Sequence, residues 1–327
     1  MTETGRRLLL AVDGSAEASQ AAEMAGELSR KLGLELHVLY VRPLQEAAYM
    51  DHWAKSDWEF VEEVRRNTEE EARKKAEEEA EKVRATGAEV AEVHVALGRA
   101  DDRIVRLAED LGAELVVVGS RGLGALRRAL MGSVSVSVAR HAHGSVLIVR
   151  GEPAGESYLP GKILVAVDGS PEAEVALDRA QEIAWQTGSE LHMFHAIHRE
   201  PLAPYPYPVA AESAESYMED TQRKAREYFE EKAAEIREVG GSVASVKVVL
   251  GQPEKEIVRE AERIGAGLVV IGSRGLGGVR RALLGSVSDA VMRHAHCPVL
   301  VVRRGVGASE ESAAGAERSE LSERSAR

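Results

Sequence analysis

Cysteine is almost absent from these 327 residues: Cys297 stands alone. One cysteine excludes an internal disulfide, and no Cys/His spacing suggests a zinc site. Aromatics are scarce as well, at 4% against 44% apolar residues, so a core has to be assembled from Val, Leu, Ile and Ala. That inventory suits a parallel sheet covered by helices. A basic excess is missing: 42 Lys and Arg against 54 Asp and Glu leave a formal charge of -12. Such a chain is a poor non-specific partner for nucleic acid or an anionic membrane. No run approaches the roughly 18 apolar residues of a membrane span. The opening MTETGRRLLLAVDGS lacks a cleavage-site pattern and reads as a first strand. These absences lead to the expectation of a soluble, cytoplasmic protein of about two domains.

What is present is a pattern that runs twice. Leu8–Val12 is a buried strand that ends in Asp13-Gly14-Ser15. Ser15 is placed to N-cap a helix through about Leu32, with Gly33 as its stop. A second strand, Leu34–Val41, ends at Pro43. The charge-dense stretch from Ser56 to Ala85 carries Val61, Val64, Ala72, Ala76, Ala80 and Val83 at helical spacing. Its charges read as a solvated helix face. Then come a third strand over Ala88–Leu97, a helix over Asp101–Leu111, a fourth strand over Leu115–Val118, a glycine-rich loop, a helix over Ser133–His141 and a fifth strand over Val146–Val149. After a Gly/Pro-rich linker, Ile163-Leu-Val-Ala-Val-Asp168-Gly-Ser restarts the series. Residues 119–150 and 272–303 are identical at 23 of 32 positions. The expected division is a domain over 5–151, a linker over 152–159, a domain over 160–304 and a disordered tail over 305–327. The second copy is two residues shorter between Asp168 and Gly272, which places the deletion around Pro201–Pro208. The β/α alternation implies an α/β fold of two tandem doubly wound parallel sheets.

Ligands of such sheets sit at the carboxyl ends of the strands where the winding reverses. If strand one is central, Asp13 faces the loop at Gly119 across one crevice, and Asp168 faces Gly272 across another. Each loop has the spacing Gly-x-x-Gly, nine residues, Gly-Ser: Gly119, Gly122, Gly132, Ser133 and Gly272, Gly275, Gly285, Ser286. Glycine admits a ligand close to the backbone, and a helix start favours phosphate. The hydroxyls of Ser133 and Ser135 offer donors. Arg127, Arg128, Arg280 and Arg281 add positive charge nearby. Asp13 and Asp168 suit ribose hydroxyls or a metal on a polyphosphate. There is no Walker Gly-Lys-Ser/Thr and no Gly-x-Gly-x-x-Gly after strand one, which disfavours P-loop NTPases and Rossmann dehydrogenases.

On these motifs the chain resembles a tandem universal stress protein of the ATP-binding branch, over about residues 5–151 and 160–304. The resemblance implies five-stranded sheets in the order 3-2-1-4-5, of the adenine nucleotide alpha hydrolase-like kind, and an ATP site in each crevice. It further implies that Val41 and Ala196 meet adenine through their backbone, and that Ala11, Val12 and Asp13, with Ala166, Val167 and Asp168, line the strand-one ends. Phosphates would rest on Gly119, Ser120, Arg121 and Gly122 with Gly132, Ser133, Val134 and Ser135. In the second copy they would rest on Gly272, Ser273, Arg274 and Gly275 with Gly285, Ser286, Val287 and Ser288. Mg²⁺ would reach Asp13 and Asp168 through ATP. The family's dimerisation strand is the fifth, so the two last strands are expected to pair within the chain, and two chains to associate. The expected function is a cytoplasmic, nucleotide-dependent stress regulator. A slow ATPase and an interaction protein with empty pockets are the alternatives.

The remaining chemistry-bearing residues have plainer readings. The pairs His141/His143 and His294/His296 sit at helix C-termini, and i,i+2 spacing does not put both rings on one face. His37, His192 and His195 read as satisfied strand residues. Asp101 and Asp102 read as first-turn acids, and Cys297 as a half-buried thiol.

Overall fold

The computed structural model describes residues 6–43, 58–122, 131–151, 157–198, 209–275 and 284–304, with side chains of 58–65 and 209–215 excepted. The tail at 305–327, most of the linker, Arg127, Arg128, Arg280, Arg281 and Pro201–Pro208 lie outside the described residues, as do the side chains of Val61 and Val64.

The first copy folds as β1 (Arg7–Val12), α1 (Ala16–Leu32), β2 (Glu35–Arg42), α2 (Trp58–Ala85), β3 (Val90–Leu97), α3 (Ala100–Leu111), β4 (Leu115–Gly119), α4 (Ser133–His141) and β5 (Ser145–Val149). The second repeats it as β6 (Lys162–Ala166), α5 (Pro171–Thr187), β7 (Glu190–His198), α6 (Val209–Glu238), β8 (Val243–Gly251), α7 (Pro253–Ile264), β9 (Leu268–Gly272), α8 (Ser286–His294) and β10 (Val299–Val302). Ser15 and Ser170 cap α1 and α5, accepting the backbone N–H of Ala18 and Ala173 at 3.2 Å. The stripe Ala72, Ala76, Ala80 and Val83 on α2 is fully buried. One acid of that charge run is not solvated. Glu79 is 3% exposed, held between Lys75 and Lys82.

The strand order is β3-β2-β1-β4-β5-β10-β9-β6-β7-β8, so each copy has the order 3-2-1-4-5 within one ten-stranded sheet. All pairings are parallel except β5 with β10, which are antiparallel with Leu147 opposite Leu300. The two last strands therefore cover each other's edges. Alternation then sorts the apolar residues into two cores that run through both copies. One face packs Leu8, Leu10, Leu147, Leu300 and Ile163 under α1, α2, α5 and α6. The other packs Leu9, Val146, Ile148, Val299 and Leu164 under α3, α4, α7 and α8.

The junction is sealed by reciprocal arginines. Arg150, just past β5, donates to the carbonyls of Met292 (2.6 Å), Ala295 (3.1 Å) and Arg293 (3.3 Å) at the end of α8. Arg303, just past β10, donates to those of Ala139 (2.6 Å) and Arg140 (3.0 Å) at the end of α4. Each copy's helix is thus closed by a cation from the other copy, where the helix dipole is negative. Burial pushes the Arg303 guanidinium down to about 10, and repulsion from Arg274 adds to the effect.

Candidate functional site

In each copy β1 or β6 lies centrally, with its neighbours winding away in opposite directions. The turn after it and the loop after β4 or β9 meet at the resulting crevice. Gly14 and Gly169 take positive φ (83° and 79°), turning the chain sharply after Asp13 and Asp168. The aspartates then accept the backbone N–H of Ser15 and Ser170 at 3.0 Å through Oδ1. The other carboxylate oxygen faces the glycine loop. A Cβ on Gly122 would lie closer to Asp13 Oδ2 than the 3.0 Å that side chains respect, and a Cβ on Gly275 would meet Asp168 Oδ2 in the same way. Only a bare backbone passes there. The glycines named from spacing therefore have a physical cause: loop and aspartate touch across the switch point.

The other glycines of the motif do different work. A Cβ on Gly119 would strike the backbone of Glu17 at 2.8 Å, and one on Gly272 that of Glu172 at 3.0 Å, so these let α1 and α5 pack against the strand ends. Gly132 and Gly285 are N-caps of α4 and α8 without a side-chain cap bond. The first-turn N–H groups are consequently available to a ligand rather than to a cap. Ser133 and Val134 are exposed at that helix start, as is Ser286, with Val287 half-buried. Ser135 and Ser288 differ from the expectation that Ser135 offers a donor. Both are buried and donate to the carbonyls of Gly119 (2.6 Å) and Gly272 (2.7 Å), pinning each helix to its strand. Ser120 and Ser273 are buried too. Their N–H groups bond the carbonyls of Val149 and Val302, and their own carbonyls receive Gly132 and Gly285. Arg121 pairs with Glu17 at 2.5 Å, and Arg274 stands 3.9 Å from Glu172.

The second crevice is a cavity of about 480 Å³, within the usual range for small-molecule sites. It gathers Ala166 at the end of β6 with Val167 and Asp168 just past it, Ala196 from β7, Gly272 at the end of β9 with Arg274 and Gly275 of the loop, and Gly285, Ser286, Val287 and Ser288 at the start of α8. Ser273, 1% exposed, stays behind this lining. In the first copy Val41 and Val12 are buried, and Ala11 packs against the same core as Val41. Eight lining residues lay outside the motifs, among them Phe194, His195 and Ile257. Phe194 and Ile257 are apolar walls, and His195 lines the cavity while its Nδ1 bonds the Val167 carbonyl at 2.7 Å. The two sites are not identical. Glu79 and Lys75 of α2 lie over Gly14, whereas nothing stands within 4 Å of a Cβ on Gly169.

The plainer readings fare unevenly. His141 bonds the Ser137 carbonyl (2.7 Å) while His143 faces Glu109 (3.3 Å), so the pair diverges. Asp101 and Asp102 do stand in the first turn of α3. Cys297 is fully buried rather than half-buried, at 5% exposure. His37 and His192 are not satisfied: the buried Nε2 of each has no hydrogen-bond partner. Among the described residues no helix is long and apolar enough to cross a membrane.

The model of the universal stress protein family matches residues 5–150 and 160–303. A universal stress protein of Mycolicibacterium smegmatis is 37% identical over 198 residues, which are 58% of this chain and 62% of that protein. The match thus spans less than two thirds of that relative's length. A Mycobacterium bovis universal stress protein is 29% identical over 315 residues, covering 92% of this chain and 96% of its own. Among solved structures, a universal stress protein from Archaeoglobus fulgidus aligns with a TM-score of 0.62 at 27% identity, over 93% of this chain and 98% of that one.

Proposed function

The chain belongs to the universal stress protein family, and from that premise we propose that each of its two domains binds ATP and that the protein acts as a cytoplasmic, nucleotide-dependent stress regulator. The observation that carries this reading is the bare contact of Gly122 with Asp13, repeated between Gly275 and Asp168. It leaves a backbone-lined cradle beside a carboxylate at a switch point. The uncapped starts of α4 and α8 supply N–H groups and a positive dipole end for the phosphates. The ends of β2 and β7, at Val41 and Ala196, offer backbone to adenine. Asp13 and Asp168 would hold Mg²⁺ through the bound nucleotide or accept from the ribose. The Ser133 and Ser286 hydroxyls are exposed at the phosphate end, whereas Ser135 and Ser288 shape the pocket from beneath. Binding, not turnover, is the reading these residues favour, since no Walker lysine stands in either loop.

Purified protein treated with perchloric acid should release an adenine nucleotide detectable by mass spectrometry. Stripped protein should bind Mg·ATP at two sites per chain in calorimetry. Extracts free of adenine nucleotide, together with no binding heat, would sink the proposal.

A further inference from the structure

The two orphaned histidine nitrogens lead to a feature present in one copy alone. A register shift after Leu36 brings His37 opposite Glu92, and Leu39 opposite His94, on β2 and β3. The bulge leaves Ala91 unopposed and re-aims the strand, so that Glu92 and His94 share the sheet face of His37. The imidazoles stack with ring centroids 5.3 Å apart. His37 Nδ1 lies 3.0 Å from His94 Nε2, and Glu92 Oε2 lies 4.0 Å from the first and 3.6 Å from the second.

We propose that His37, Glu92 and His94 form a binding site for a divalent transition cation, zinc in particular, in the first domain. The three donor atoms form one triangle. Zinc bonds of 2.0–2.1 Å in tetrahedral geometry require donors about 3.3 Å apart, and the observed edges bracket that spacing. Two imidazoles and a carboxylate are borderline ligands of the kind zinc takes in three-ligand sites with an open fourth position. Glu92, with 62% of its side chain exposed, leaves that position to solvent.

The surroundings fit a cation. His37 is 4% exposed, and its second nitrogen, Nε2, has no hydrogen-bond partner but points to Glu35 Oε1 at 3.7 Å. A ligating histidine characteristically turns its other N–H to a carboxylate, which fixes tautomer and orientation. Glu35 is in turn held by Arg7 at 3.3 Å. The second copy supplies the contrast. It keeps the same bulge, and His192 stands opposite Ser245. The position of His94, however, is taken by Lys247, whose ammonium meets buried Glu260 at 2.5 Å. A fixed cation occupies the place where the first copy offers an imidazole, so the bulge belongs to the fold while the ligand set is particular to the first domain. The site lies four residues upstream of Val41 on β2, about 13 Å along the strand, and requires no nucleotide.

The test uses untagged full-length protein, stripped with chelator and titrated with ZnCl₂ by calorimetry without nucleotide. The wild-type chain should take up one equivalent of zinc at about micromolar affinity or tighter, and His94→Gln and Glu92→Gln should each lose it at least tenfold. Glu92 is exposed, so its amide variant retains the fold and separates ligation from stability. Ser245→Glu/Lys247→His should raise the stoichiometry by one. No zinc uptake by the wild type, or the same uptake in the Glu92→Gln and His94→Gln variants, overturns the proposal. Because ATP is absent throughout, failure here is distinct from failure of the nucleotide reading.

Discussion

Adding one methyl group at Gly122 tests the contact on which the proposed nucleotide site rests. The Gly122→Ala Cβ would invade the space of Asp13 Oδ2, with Asp13 Cγ at 3.5 Å. Relief comes from swinging the carboxylate away, which gives up the Ser15 N–H bond to Oδ1. A hydrogen bond to a charged group contributes about 1.5–3 kcal/mol, so the expected loss of stability is about 2 kcal/mol. For a domain of this size that lowers the melting midpoint by about 4–8 °C. ATP affinity at the first site should fall at least tenfold, because loop and carboxylate then no longer fit one ligand. Gly33→Ala is the matched control. Gly33 ends α1 at φ 65° with nothing within 4 Å of its Cβ. Backbone strain there costs about 1 kcal/mol, far from the crevice, and binding should be unchanged. Calorimetry on Gly122→Ala, Gly275→Ala and the double variant, set beside thermal melts, separates the two effects. Wild-type ATP affinity at both sites of the double variant would refute the reasoning.

Arg150→Ala removes the donor to three carbonyls at the end of α8. Unsatisfied buried acceptors cost about 1–3 kcal/mol, and guanidinium unfolding curves should show a loss of that order; an unchanged midpoint would mean the cross-domain cap contributes nothing. Burial pushes the Cys297 thiol from 9.0 up to about 12, with Arg150 opposing the shift. Native protein should therefore leave Ellman's reagent unreacted at pH 8 and yield one thiol only in denaturant. Since the folded state keeps this proton to higher pH than the unfolded chain, the associated stability is whole below about pH 9 and falls as pH rises toward about 12. Rapid native labelling at pH 8 would contradict this.

Much of the proposed nucleotide site was legible because its grammar is local. Ser15 announces its cap by following a strand and a turn, and Gly33 closes the 17-residue helix nearly five turns later. The duplicated Gly-x-x-Gly loops likewise mark a place where the backbone must pass bare. β/α alternation implied a parallel sheet with crossovers of one hand, whereas the strand order 3-2-1-4-5 was implied by the family resemblance. Local pattern assigned Ser135 a donor role, but its hydroxyl is consumed by the Gly119 carbonyl sixteen residues upstream. Glu79 likewise looked like one solvated acid among many, until tertiary packing laid α2 over Gly14.

Sequence alone determined the two repeated α/β units, the glycine loops, the aspartates that face them and the family resemblance, all of which arise from periodicity and short-range chemistry. The pairing of β5 with β10 was expected from the resemblance and is present, but only the tertiary structure decided the arginines exchanged across it and the gathering of His37, Glu92 and His94. Those depend on strand register across tens to more than a hundred residues, where a one-residue bulge moves a side chain from one face of the sheet to the other.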